Sequence, residues 1–160
     1  MVFDKITCSS DDERYMLEAM REAALAAEAG EVPVGAVIVR EGSIVAKAHN
    51  LVETAGRSHA HAEMLALEEA ERAAGAKWLP GATMYVTLEP CSMCAGAMVL
   101  ARIARLVIGA PDPKTGACGS VLNVAANDRL NHRIEIETGV LGAECSEQLK
   151  EFFREMRKNK

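Results

Sequence analysis

Between Ser10 and Gly30, apolar side chains return every three to four positions, at Met16, Leu17, Met20, Ala24 and Ala27. That spacing predicts a helix with one buried stripe. Ser10 is suited to cap it, Glu13 stands where a capping box places its acid, and Asp11 and Asp12 favour the positive end of the helix dipole. Gly30 ends the run. The period then changes. Val34 to Val39 is a short stretch rich in β-branched residues, Glu41-Gly42 reads as a turn, and Ser43 to Ala48 reads as the returning strand of a hairpin. A polar loop from Asn50 to His59 leads into a second helix, from about Ala62 to Ala74. Ala82 to Leu88 predicts a third strand, Pro90 opens a helix that runs to about Ala101, and Arg105 to Ile108 predicts a fourth strand. A loop bearing Pro, Gly and Lys spans Pro111 to Gly119. Ile134 to Glu137 predicts a fifth strand, and a last helix runs from about Cys145 to Arg157. Strands alternating with helices after one hairpin imply an α/β fold in three layers, α/β/α, with a mixed five-stranded sheet covered by helices on both faces. No repeat, linker or low-complexity tract interrupts the pattern, so residues 1–160 are expected to form a single domain.

Composition narrows the setting. The longest apolar stretches, such as Val32 to Val39, fall far short of the roughly 20 residues a membrane span needs. The opening MVFDKITCSS lacks the basic-then-apolar order of a secretory leader, so a cytoplasmic, membrane-free protein is expected. Net charge is −5, which at first sight opposes a nucleic-acid partner. The distribution changes that picture: residues 1–100 carry a net −7, whereas residues 101–160 carry +2 and leave room for a basic surface. Five cysteines, an odd number with one tight pair, argue against a disulfide framework.

That tight pair is Cys91-Ser92-Met93-Cys94, preceded by Pro90, and a second short string stands out in His61-Ala62-Glu63. Each follows a loop or strand and opens a predicted helix. Two cysteines three apart on a first turn point the same way, and the positive helix end favours the thiolates that bind metal. With one imidazole they make three ligands that suit Zn²⁺ and leave a fourth tetrahedral position for water, as in catalytic rather than structural zinc sites. Glu63, two residues from His61, is poorly placed as a fourth ligand but well placed to move a proton. Each half alone is weak. A lone CxxC is often two buried thiols, and a lone HxE is commonplace.

Together the two strings are the H-x-E…P-C-x-x-C signature of the zinc-dependent nucleoside and nucleotide deaminases. Further stretches carry the likeness along nearly the whole chain: Glu31 to Val37, Tyr85 to Cys91, Cys94 to Met98, Gly109 to Gly116, Asn131-His132-Arg133, and the ending Glu151 to Arg157. The chain resembles the bacterial tRNA-specific adenosine deaminases. The resemblance implies a cytidine-deaminase-like fold, one Zn²⁺ per subunit on His61, Cys91 and Cys94, and a homodimer. It implies hydrolytic deamination of adenosine to inosine at the wobble position of a tRNA anticodon stem-loop, by zinc-activated water with Glu63 as proton shuttle. It carries substrate contacts to Val32, Asn50, Ala62 and Leu88, with Asn50 bonding the target nucleoside, and sets Asp112 on the ribose of the neighbouring nucleotide. A carboxylate accepting from a 2′-OH is one way to prefer RNA. Lys114, Arg154, Arg157 and Lys158 are candidates for the RNA backbone.

Plainer readings compete for several of these residues. His59 could replace His61 as ligand, and Glu89, beside the cysteine motif, reads as a structural hydrogen-bonding group in preference to a second catalytic acid. His49 and His132 read as surface or substrate-edge residues, and Cys8, Cys118 and Cys145 as buried or idle thiols. Phe152 and Phe153 could anchor the last helix in the core, and the terminal basic residues could simply solvate it. At the level of function, a free-base or nucleoside deaminase for guanine or cytosine would use the same zinc site without an RNA footprint. A non-enzymatic zinc module would need a fourth protein ligand and would have no use for Glu63. One independent hint of self-association is the helix after Cys91, apolar on almost all sides.

Overall fold

Strand β1, Gly35–Arg40, alternates its partners along its length: Ala36 and Ile38 belong to one apolar cluster, Val37 and Val39 to another. The pleat sends successive side chains to opposite faces, so a strand buried on both must be apolar throughout. The computed structural model, which describes residues 3–160, builds outward from this strand. β1 pairs antiparallel with β2 (Ser43–His49) on one side and with β3 (Thr83–Leu88) on the other. Parallel pairing then adds β4 (Arg105–Ala110) and β5 (Glu135–Thr138), giving one mixed sheet in the order β2-β1-β3-β4-β5.

Two helices cover each face. α1 (Asp11–Glu28) and α5 (Gly142–Lys158) lie on one side, where Met16, Met20 and Cys145 join Val37, Tyr85 and Val107. The other face carries α3 (Ala62–Ala74) and α4 (Ser92–Leu100), whose Ala66, Leu67, Ala95 and Met98 pack on Ile38, Met84, Leu106 and Ile108. The three-layer arrangement expected from the sequence is the one observed.

Local departures have local causes. Ser10 Oγ accepts from the Glu13 backbone N–H at 3.2 Å, but the Glu13 carboxylate reaches back to the Ser9 N–H at 2.6 Å, one residue beyond a regular capping box. Helix α4 begins at Ser92 and not at Pro90, because Cys91 takes an extended N-cap conformation. The polar loop after Asn50 contains a one-turn helix, α2 (Val52–Ala55), which Glu31 organises from across the fold. α5 starts three residues earlier than its apolar pattern indicates. Neither Phe152 nor Phe153 belongs to either core cluster among the described residues; they stack edge-on against each other, with Phe153 exposed.

Candidate metal centre and active site

Helices α3 and α4 both start at one end of the sheet, beyond Leu88 at the end of β3. His61 is the N-cap of α3 and Cys91 the N-cap of α4, and neither side chain caps its own helix. Both are therefore free to face the space between the two helix starts, where unpaired backbone N–H groups favour negative charge. Cys94 follows one turn into α4. His61 Nδ1 stands 3.4 Å from Cys94 Sγ and 3.7 Å from Cys91 Sγ, and the three donor atoms all lie within 4.8 Å of one another.

A tetrahedral zinc with ordinary ligand lengths sets sulfur and nitrogen about 3.5 Å apart, so the donor set fits that ion. Its charge points the same way. The Cys94 thiol and the His61 ring, hydrogen-bonded to Cys91, hold the Cys91 thiol down to about 3. Hydrogen bonding to Cys91, burial and nearby negative charge push the Cys94 thiol up. Glu63, buried on the first turn of α3, has its carboxyl raised chiefly by desolvation. Without a cation the three acids compete for charge in one dry place, and a divalent ion relieves that competition.

The site forms the floor of a cleft of about 300 Å³. Val32, Asn50, Ala62, Leu88 and Asp112, each expected at the substrate, all line it, as do His61, Glu63 and Cys91. Asn50 is held on both sides: Nδ2 donates to the Val32 carbonyl and Oδ1 accepts from the Val52 N–H, each at 3.3 Å. Asp112 accepts from the backbone N–H groups of Lys114 and Thr115 at 3.0 and 3.2 Å and from the Thr115 hydroxyl at 2.7 Å.

Other candidates fall elsewhere. His59 lines a separate groove with Met64, Leu65, Trp78, Ala97 and Leu100, away from the three donors. His49 pairs with Glu22 at 3.2 Å, and His132 Nε2 lies 2.6 Å from the Ile103 carbonyl oxygen. Cys118 and Cys145 are buried and Cys8 is half-buried. Lys114, Arg154 and Arg157 come together around a surface groove, whereas Lys158 pairs with Glu155 at 3.2 Å and is not among the residues lining it.

Glu31 and Lys150 escaped the sequence reading, and Glu89 makes the structural hydrogen bonds expected of it. Glu31, fully buried, accepts from the N–H groups of Glu53 and Thr54 at 3.0 and 2.6 Å and so fixes the wall that carries Asn50. Glu89 accepts from four donors on the loop that carries Asp112. Lys150, one turn before Arg154 on α5, lines the basic groove, and that i,i+4 spacing was a usable signal.

Comparison with known proteins identifies the family. A family model described as MafB19-like deaminase matches residues 10–157. The tRNA-specific adenosine deaminase of Bacillus subtilis (strain 168) is 56% identical over 151 residues, covering 94% of each chain. A protein solved in a study of A-to-I editing by tRNA:A34 deaminases at the wobble position superposes with a TM-score of 0.81 at 41% identity, covering 84% of this chain and 98% of that one. A guanine deaminase from Nitrosomonas europaea shares the fold at a TM-score of 0.78, with 22% identity over 92% of this chain and 86% of that one. The chain belongs to the MafB19-like deaminase family and, among its members, groups with the tRNA-specific adenosine deaminases.

Proposed function

We propose that this chain hydrolyses adenosine to inosine, releasing ammonia, at the wobble position of a tRNA anticodon stem-loop, with one Zn²⁺ on His61, Cys91 and Cys94. The observation that carries the reading is one cleft in which those three donors, Glu63, Asn50 and Asp112 meet. Zinc bound there would supply a water-derived nucleophile at neutral pH. Everything else falls to the chain. A buried carboxyl with a raised pKa is suited to take a proton and hand it on, so Glu63 receives one from the attacking water, delivers it to purine N1, and serves the departing amine in turn. Val32, Ala62 and Leu88 give the base apolar walls. Asn50, already oriented by its two backbone partners, offers its remaining amide capacity to the nucleoside. The base reaches this floor only when flipped out of its stack.

Asp112 would accept from the ribose 2′-OH of the flanking nucleotide. From there Lys114 leads to the groove with Lys150, Arg154 and Arg157, a short basic path that suits phosphates despite the acidic total. Lys158 takes a peripheral part at most in this path. The same reading treats residues 1–160 as one domain, because both apolar layers close on one sheet, and places the protein in the cytoplasm with its RNA. Among the described residues, no helix is long and apolar enough to cross a membrane.

Self-association belongs to the proposal too. On α4, Met93, Gly96, Ala97 and Leu100 form an outward apolar stripe, with Leu100 76% exposed and Trp78 51% exposed beside it. A second copy of this chain is its proposed cover.

The test is turnover. Zinc-loaded protein is given an anticodon stem-loop RNA with adenosine at the wobble position, and separately free adenosine, guanine and cytosine, with products read by mass spectrometry. Conversion of the stem-loop adenosine should be fastest, and added salt should weaken RNA binding markedly. Faster conversion of guanine or cytosine would overturn the RNA reading. A metal content below half an equivalent would overturn the zinc reading.

A further inference from the structure

Between β4 and β5 the chain runs from Pro111 to Ile134 without a helix, an unusually long connection for two parallel neighbours. Its first part forms one wall of the cleft, with Asp112 and Thr115 facing the space above the metal donors. Something must hold so long a segment in place. Its backbone converges on one buried carboxylate. Glu89, 5% exposed, ends the strand connection just before Pro90 and Cys91. Its Oε1 accepts from the Asp112 N–H at 3.2 Å and from the Ser120 hydroxyl. Its Oε2 accepts from the N–H groups of Cys118 and Ser120, at 3.0 and 3.1 Å. All four contacts need an acceptor. Gly116 shows how closely the loop wraps this group: a Cβ there would overlap both the Glu89 carboxylate and the Asp112 carbonyl oxygen. Backbone bonds complete the clasp, from the Glu89 N–H to the Ala110 carbonyl at 2.9 Å and from the Ala117 N–H to the Pro90 carbonyl at 2.8 Å.

We propose that Glu89 is a positioning residue for substrate: by gathering the 112–120 loop onto its carboxylate it sets where Asp112 stands, and so how the nucleotide beside the reacting base is held. This rests on the functional reading above, which gives Asp112 that nucleotide. Glu89 borders the cleft, but its carboxylate is turned to the loop donors. It acts through Asp112 and leaves the chemical step to Glu63 and the three metal donors. Only Pro90 separates it from Cys91, so the short turn after β3 supplies both a metal donor and the clasp for the opposite wall.

The near-isosteric Glu89→Gln replaces one acceptor oxygen by an NH₂ that faces donors, with little change of volume. For zinc-loaded protein acting on the stem-loop RNA, KM should rise about tenfold while kcat changes less than about threefold, with zinc content unchanged. The discriminating readout is the cycle with Asp112→Ala. If Glu89 works through Asp112, adding Glu89→Gln to Asp112→Ala should cost little further. Additive losses, a fall confined to kcat, or loss of zinc would each overturn the proposal. Ser120→Ala removes one donor without touching the buried charge; it should fold normally and raise KM in the same direction by a smaller factor, and an unchanged KM counts against the clasp. Hydrogen exchange on substrate-free holoprotein is the arm that needs no turnover. Glu89→Gln should speed exchange at the amides of Asp112, Cys118 and Ser120 at least tenfold and leave those of β3 and β4 unchanged. Unchanged exchange overturns the clasp itself. Wild-type protein inert on the stem-loop would instead overturn the functional reading, and this proposal with it, and the exchange result distinguishes the two failures.

Discussion

Glu63 is buried, carries an acid raised by desolvation, and sits on the first turn of α3 with its chain neighbour His61 at the helix start. A proton carrier differs from a ligand in what its removal does. Glu63→Gln should keep the three metal donors and the volume of the side chain, so zinc content and thermal midpoint should stay near wild type. General acid–base groups contribute typically about 10²- to 10⁴-fold, and the proposed mechanism uses this one at more than one step, so kcat should fall toward the upper end of that range. Inosine formation measured beside metal content checks it; a variant keeping a third of the wild-type rate would remove Glu63 from the mechanism. Residues of this kind were legible in the sequence because their spacing is local: His61 with Glu63, and Cys91 with Cys94, each occupy one short string at a helix start. Glu31 and the task of Glu89 were not legible. Apart from the Ser120 hydroxyl, their partners are backbone N–H groups 22 to 31 residues away, and any residue type supplies such a donor, so no pattern of side chains records those bonds.

Elements followed the same logic of local against distant causes. Strand β1 and helix α3 announce themselves through period and punctuation, and the structure keeps them within a residue of their expected bounds. The one-turn α2 does not, since only its Val52 N–H has a local side-chain partner, Asn50, while its Glu53 and Thr54 N–H groups are satisfied by Glu31 from elsewhere in the chain. Close approach between elements is likewise invisible until they meet. Gly35 opens β1 directly beneath α1, and a Cβ there would come within 2.6 Å of the Ala23 backbone nitrogen and 2.9 Å of Glu22 Cβ. The obstacle is helix backbone, which yields far less readily than a side chain. Gly35→Ala should therefore destabilise by about 3 kcal/mol, the upper end of the usual cost of overpacking. For a chain of this size that lowers the thermal midpoint by about 6–12 °C. Differential scanning calorimetry of the zinc-loaded protein checks it, and a midpoint within 1 °C of wild type would show that α1 shifts away without cost. The neighbouring Thr87 hydroxyl, which accepts from the Gly35 N–H at 3.1 Å, ties the same spot to β3, so a shift of β1 would also disturb the strand leading to the metal cysteines.

At the scale of the whole molecule, the outer face of α4 is an exposed apolar surface. The α4 sequence is apolar nearly all round, and the structure divides it: Cys94, Ala95, Met98 and Val99 are buried against the sheet, while Met93, Gly96, Ala97 and Leu100 form the outer stripe. Among the described residues, nothing beyond the helix's own backbone lies within 4 Å of where a Gly96 Cβ would stand, so the middle of that stripe is a notch with room for a neighbouring backbone. Trp78 beside it is flanked by Lys77 and Arg102, with their charges 5.1 and 5.6 Å from the ring centre, which gives the apolar patch a polar rim. An apolar centre inside a charged border is the ordinary anatomy of a protein–protein interface. A second copy packed α4 on α4 would bury this stripe symmetrically, each copy meeting the same residues of the other. Leu100→Glu tests it with little risk to the monomer, since that side chain is 76% exposed. A central apolar anchor commonly accounts for about 2 kcal/mol or more of association, and two symmetric charges would face each other after the change. The dimer dissociation constant should therefore rise at least about thirtyfold while the thermal midpoint of the zinc-loaded monomer holds. Sedimentation velocity at micromolar concentration gives the answer: wild-type protein should run as a dimer and Leu100→Glu as a monomer, whereas a monomeric wild type would overturn self-association.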